Sequence, residues 1–168
     1  DTNFPTIDPK DPYALSAGEK LVMKKLRYAF VNSEKLQRHV SYLFTRGSMY
    51  RTYNGNLLYH GCVPLEEDGK FKKVQIGTEF YSGRALFEEL EGWARKGYYL
   101  PEGDEKTFGQ DTMWFMWANE NSPLYGKERM TTFERYFVKD PSCYYEAKNS
   151  YYNYLNDNGV ISAILKEF

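Results

Sequence analysis

The chain has 168 residues, with 22 basic against 23 acidic side chains, so no strongly charged stripe calls for nucleic acid and no polybasic anchor calls for a membrane. Aromatic side chains make up 18% of it, among them 16 tyrosines, which excludes disorder for most of its length. Two cysteines 81 positions apart form neither a disulfide framework nor a zinc knuckle, and free thiols in a cytoplasmic protein are expected. The longest apolar stretches are only a few residues, too short for a membrane span or a signal-peptide core, and the first residue is Asp1.

Residues 1–15, punctuated by Pro5, Pro9 and Pro12, read as an extended arm or linker ahead of one domain over 16–168. Ser16 can cap a helix whose Leu21, Val22, Leu26, Ala29 and Phe30 fall at helical spacing. Ser33 can cap a second, with Leu36, Val40, Leu43 and Phe44 three or four apart and Gly47 at its end, so the two read as a helical pair. Asn54-Gly55 between "SMYRTY" and "LLYHGCV" signals a hairpin and places His60 near a strand exit. Asp68-Gly69 offers another turn before a strand in "FKKVQIGTEFY".

Ser82 can cap the next helix, through Leu86, Phe87, Leu90 and Trp93. "DTMWFMWANEN" reads as a buried helix, with strand as the alternative, and as core rather than a stack for a cofactor. "SPLYGKERMTTFERYF" reads as loop, then strand or helix, "DPSCYYEAKNSYYNYL" as irregular and "DNGVISAILKEF" as a terminal helix. The fold class expected is α+β: helices packed on a small, mostly antiparallel sheet containing a β-hairpin.

Two places carry chemistry. His60 and Cys62, two apart on a strand, would share a face, as a metal pair or a Cys-His couple would. Zinc needs about four such ligands and a thiolate nucleophile needs an adjacent base, so a packed histidine and a packed cysteine are the competing readings. His39, beside Arg38, has no ligand partner nearby and reads as surface or interface. The second place is "YGKERMTTFERYF", where Lys127, Arg129 and Arg135 offer the donors that phosphate recognition uses, against the alternative of a solvated loop. Interleaved Tyr125, Met130, Phe133, Tyr136 and Phe137 argue that the segment packs.

The stretches "SEKLQRHVSYLFTRGSMYRTYNGNLLYHGCVP", "ENSPLYGKERMTTFERYF" and "DTNFPTIDP" resemble the middle of class III bacterial fructose-1,6-bisphosphatases. That family resembles calcineurin-like metallophosphoesterases, with motifs of the types G-D-x-x-D-R and G-N-H-E upstream and G-H-x-P downstream, none of which occurs here. The resemblance implies a central portion of a longer metallophosphoesterase-like enzyme, inactive alone. The whole enzyme would use manganese or another divalent metal to hydrolyse the 1-phosphate of fructose 1,6-bisphosphate in gluconeogenesis, and the partners implied are that substrate, the rest of the polypeptide and a possible second copy.

"YHGCVP" resembles the strand-end "HGG" element whose histidine binds metal, which makes His60 the candidate ligand. By analogy with the phosphate-binding arginine of Ser/Thr protein phosphatases, Lys127, Arg129 and Arg135 are candidates for the substrate phosphate, although the Arg-Gly pair of those enzymes is absent. The alternative function is a regulatory or oligomerising domain whose contact surface would be "CYYEAKNSYYNYL".

Overall fold

The computed structural model describes residues 5–168; the first four positions of the expected arm lie outside the described residues. Contacts divide the chain into two compact units, one reaching to Gly47 and including Phe133–Cys143, the other formed by Ser48–Thr132 and Tyr144–Phe168.

In the first unit, turns and an isolated Asp8–Asp11 bridge precede two helices, α1 (Ala17–Val31) and α2 (Glu34–Arg46). Ser16 and Glu19 close a reciprocal capping box on α1, and the Ser33 hydroxyl accepts from the Leu36 amide to start α2. The helical pair is as expected, but its apolar positions are not core: no residue of α1 or α2 is buried. A short helix, α5 (Thr132–Phe137), enters this unit from Phe133 onward.

The second unit holds the core. Strands β1 (Tyr50–Tyr53) and β2 (Asn56–Tyr59) pair antiparallel around Asn54 and Gly55, both at positive φ, as the Asn-Gly signal requires. "FKKVQIGTEFY" is not one strand but a second hairpin, β3 (Val74–Ile76) and β4 (Glu79–Tyr81), because Gly77 at φ +63° turns the chain. The strands are antiparallel, as expected, but form two separate pairs rather than one sheet.

Helices α3 (Gly83–Tyr99) and α4 (Asp104–Ala118) cross where Gly97 meets Gly109. A Cβ on Gly97 would lie 2.7 Å from the Gly109 backbone carbon, so only paired glycines permit this approach. Val74, Ile76, Leu86, Leu90 and Met116 fill the core between α3, α4 and the second hairpin. A second cluster, Val63, Phe87 and Ile164, is sealed by edge-to-face contacts of Phe87 with Tyr50, Tyr59 and Phe168.

The last helix, α6 (Asn158–Glu167), is capped by Asp157. Its Glu167 carboxylate accepts from the Arg84 amide at 3.1 Å and so caps α3, the task expected of Ser82, whose side chain makes no capping bond. α4 is a helix, but it is only half buried: Thr112 and Met116 face the core, while Trp114 and Trp117 are about 70% exposed.

Candidate functional site

Three separate sequence segments meet in the second unit. The chain leaves β2 at Tyr59 and bends at His60 and Gly61, and the Cys62 amide donates to the Pro123 carbonyl at 3.0 Å. A Cβ on Gly61 would lie 2.5 Å from that same carbonyl oxygen. Ser122, fully buried, holds the second segment: its hydroxyl donates to the Met116 carbonyl at the end of α4 and accepts from the Leu124 amide. Asn149 anchors the third, its side-chain oxygen accepting from the amides of Leu65 and Tyr151 at 3.0 Å each.

This arrangement separates the two residues of the expected metal or nucleophile pair. Because β2 ends before His60, strand alternation does not carry across Gly61: the His60 side chain is exposed, while Cys62 is wholly buried and its thiol donates to the Ser122 carbonyl at 3.6 Å. Burial pushes the Cys62 thiol up to about 12, which removes it as a nucleophile at neutral pH. Both cysteines are free thiols.

Among the described residues no three His, Cys, Asp or Glu side chains gather as a metal site. His60 therefore stands as one ligand type and not as part of a set of the kind zinc needs.

The basic residues are distributed over both units. Lys127 and Arg129 lie in the second unit on a loop that the Lys127–Lys148 bridge and the Glu128 amide to Ala147 carbonyl bond fasten to the chain after Tyr145. The Lys127 ammonium sits 2.7 Å from a Glu146 carboxylate oxygen, and the other oxygen accepts from both the amide and the hydroxyl of buried Thr131 at 2.9 Å. The Lys127 bond, then the Thr131 amide and hydroxyl, outweigh desolvation and hold the Glu146 carboxyl at about 2.

Lys127 is therefore the partner of an internal carboxylate, the acidic company that a packed base requires. Arg129 is exposed; its Nε donates to the Tyr145 carbonyl at 3.2 Å and its terminal amino groups have no protein partner among the described residues. Arg135 is exposed on α5, in the first unit. Burial along this segment is uneven, since Thr131 is buried but Phe133 and Tyr136 are more than 70% exposed.

The tyrosines expected as a contact surface instead close the second unit. The Tyr59 and Tyr151 hydroxyls share a 2.6 Å hydrogen bond, Tyr154 donates to the Glu67 carbonyl and Tyr152 packs over Gly126; Tyr145 alone among these stands mostly exposed. Glu146, Ser122 and Asn149, the residues that organise the site, had no distinguishing sequence signal beyond their proximity to glycine and proline turns. A groove of about 730 Å³ runs beside Asn149, lined by Lys70, Lys72, Lys73 and Lys148 with the acids Glu66, Glu67, Asp68 and Glu120, so its charges are balanced.

The family model for Firmicute fructose-1,6-bisphosphatase matches residues 1–168. The chain is 51% identical over 169 aligned positions to the fructose-1,6-bisphosphatases class 3 of Clostridium novyi (strain NT) and Clostridium acetobutylicum, and 48% identical to that of Clostridium botulinum (strain Langeland). Each alignment covers all of this chain and 25% of the relative, so the chain spans about a quarter of the length of the curated relatives it matches. No solved structure matches it. Its α+β fold thus stands in a hydrolase family, and the chain belongs to the Firmicute fructose-1,6-bisphosphatases.

Proposed function

We propose that this chain is part of a cytoplasmic enzyme of gluconeogenesis that hydrolyses the 1-phosphate of fructose 1,6-bisphosphate with the help of manganese or another divalent metal. The observation that carries this reading is identity of about half, over the whole of this chain, to proteins named for that activity. No helix among the described residues is long and apolar enough to cross a membrane, which is compatible with it.

Within this reading His60 contributes one imidazole to a metal centre whose other ligands belong to the remainder of the longer protein. Its exposure at a bend fixed by the Gly61–Pro123 approach supports that role, since a ligand must be reachable and rigidly placed. Arg129 is the better placed of the phosphate candidates, because Lys127 is already neutralised by Glu146. Arg135 keeps the same donor chemistry from α5.

The test is phosphate release from fructose 1,6-bisphosphate by the full-length protein carrying this sequence, with manganese supplied and fructose 6-phosphate as the control substrate. His60→Ala should lower kcat on the order of 100-fold and reduce bound metal while leaving the melting temperature unchanged. Arg129→Ala should raise KM by about 10-fold, the value of a charge-assisted hydrogen bond. A His60→Ala protein with full activity and metal content removes the ligand role, and an unmodified protein that leaves the bisphosphate intact removes the reaction.

A further inference from the structure

Glu146 fastens the loop that carries Arg129 on both sides of that residue. One carboxylate oxygen takes the Lys127 ammonium at 2.7 Å, just before Arg129. The other takes the Thr131 amide and hydroxyl at 2.9 Å each, just after it. Between these ties the Glu128 amide donates to the Ala147 carbonyl at 2.8 Å, and the Arg129 Nε donates to the Tyr145 carbonyl at 3.2 Å. All of these groups belong to the second unit.

What this clamp secures is not packing. Glu128, Arg129 and Met130 are all exposed, so the bonds immobilise a stretch that buries no side chain between Lys127 and Thr131. An exposed loop left to itself is mobile, and an anion binding to it would bear the cost of ordering it. With Nε occupied, the Arg129 donors that remain are on its two terminal amino groups, a fork that matches two oxygens of a phosphate. Its neighbour Glu128 forms no ion pair with it among the described residues, whereas Lys127 already faces a carboxylate. The Glu146 carboxyl lies at about 2, so the clamp keeps its charge at neutral pH.

We propose that Glu146 is a positioning residue: with Lys127 and Thr131 it fixes the loop so that the Arg129 fork is set in advance for a phosphate group, the binding contact itself being made by Arg129. The inference rests on the phosphate role given to Arg129 above, and adds its dependence on a carboxylate that does not touch the ligand.

The experiment compares Glu146→Gln, Arg129→Ala and the double variant in the full-length protein with manganese supplied. KM and kcat are read for fructose 1,6-bisphosphate, and calorimetry gives the Kd of inorganic phosphate, which needs no turnover. Glu146→Gln should raise KM and the phosphate Kd by about 3–10-fold, with kcat changed by less than about 2-fold. In the Arg129→Ala background it should change neither constant, because a residue that acts only through Arg129 has nothing left to position. Thr131→Val, which removes the hydroxyl and keeps the shape, is the second variant should Glu146→Gln fail to fold. It should raise both constants several-fold, and Thr131→Ser, which restores the hydroxyl, should return them to the parent values.

A fall in KM or Kd would mean that Lys127, released from the carboxylate, takes the phosphate itself, and overturns the proposal. A lowered melting temperature with both constants unmoved, or an equal rise in the Arg129→Ala background, overturns it as well. If Arg129→Ala alone leaves both constants unchanged, the phosphate role of Arg129 falls and the positioning role with it. Phosphate binding in the expected pattern without hydrolysis of the bisphosphate removes the reaction and keeps the positioning role, and a parent protein with neither turnover nor phosphate binding overturns both.

Discussion

Glu146 is the side chain on which the basic loop depends, since one of its oxygens holds Lys127 and the other holds Thr131. Its carboxyl lies at about 2 in the folded protein, against an ordinary 4.5. A depressed carboxylate stabilises the fold above the unfolded value, and that contribution is lost as pH falls through the folded one. Glu146→Gln keeps an oxygen for Thr131 but loses the charge facing Lys127, so it should cost about 1–3 kcal/mol at pH 7, toward the lower end because Lys127 is partly exposed. Thermal unfolding of variant and parent between pH 7 and pH 2 checks this: the gap in melting temperature should be constant at neutral pH and close from about 4.5 downward. A gap that persists at pH 2 would assign the effect to packing. Lys127, Arg129 and Arg135 were visible in the sequence as bases among aromatics, but which base is already neutralised was not, because Glu146 lies 19 positions away and meets Lys127 only through the fold.

At the scale of elements, the α3–α4 crossing is set by glycines, and α3 offers an internal comparison. Alanine is worth about 1 kcal/mol over glycine in a helix interior, so propensity alone favours both Gly92→Ala and Gly97→Ala. At Gly92 nothing lies within 4 Å of the added carbon, and the change should stabilise by about 0.5–1 kcal/mol. At Gly97 the added carbon meets backbone atoms of Gly109 and Gln110 at 2.7–3.0 Å, which cannot rotate away, so overpacking wins and the change should destabilise by about 1–3 kcal/mol. Denaturant unfolding of the two variants, expected to shift the midpoint in opposite directions, reads the outcome. Other element boundaries show the same division. The Ser16 and Ser33 caps act within four residues and were legible, while the cap of α3 comes from Glu167, 83 positions from the amide it satisfies.

For the whole molecule, the contrast between a unit with two hydrophobic clusters and one with no buried residue among those described has a direct consequence for exchange. Amides of α3 should exchange most slowly in the 168-residue chain, and those of α1 close to the free rate. Hydrogen exchange with mass spectrometry measures both, and equal protection of α1 and α3 in the isolated chain would contradict the absence of a core in the first unit. By itself the sequence determined the class of fold, most helices, the Asn54-Gly55 hairpin and the family likeness, because capping, helical spacing and turn chemistry are local, and 51% identity is a property of the string. It also singled out "YHGCVP" and "ENSPLYGKERMTTFERYF", without showing that they touch. Only the tertiary structure decided that Gly61 abuts Pro123, that Cys62 is buried while His60 is exposed, that Glu146 takes Lys127 and that the apolar side chains of α1 are exposed. Burial and partnership depend on contacts between residues tens of positions apart, and periodicity specifies which face of a helix is apolar without specifying what covers it.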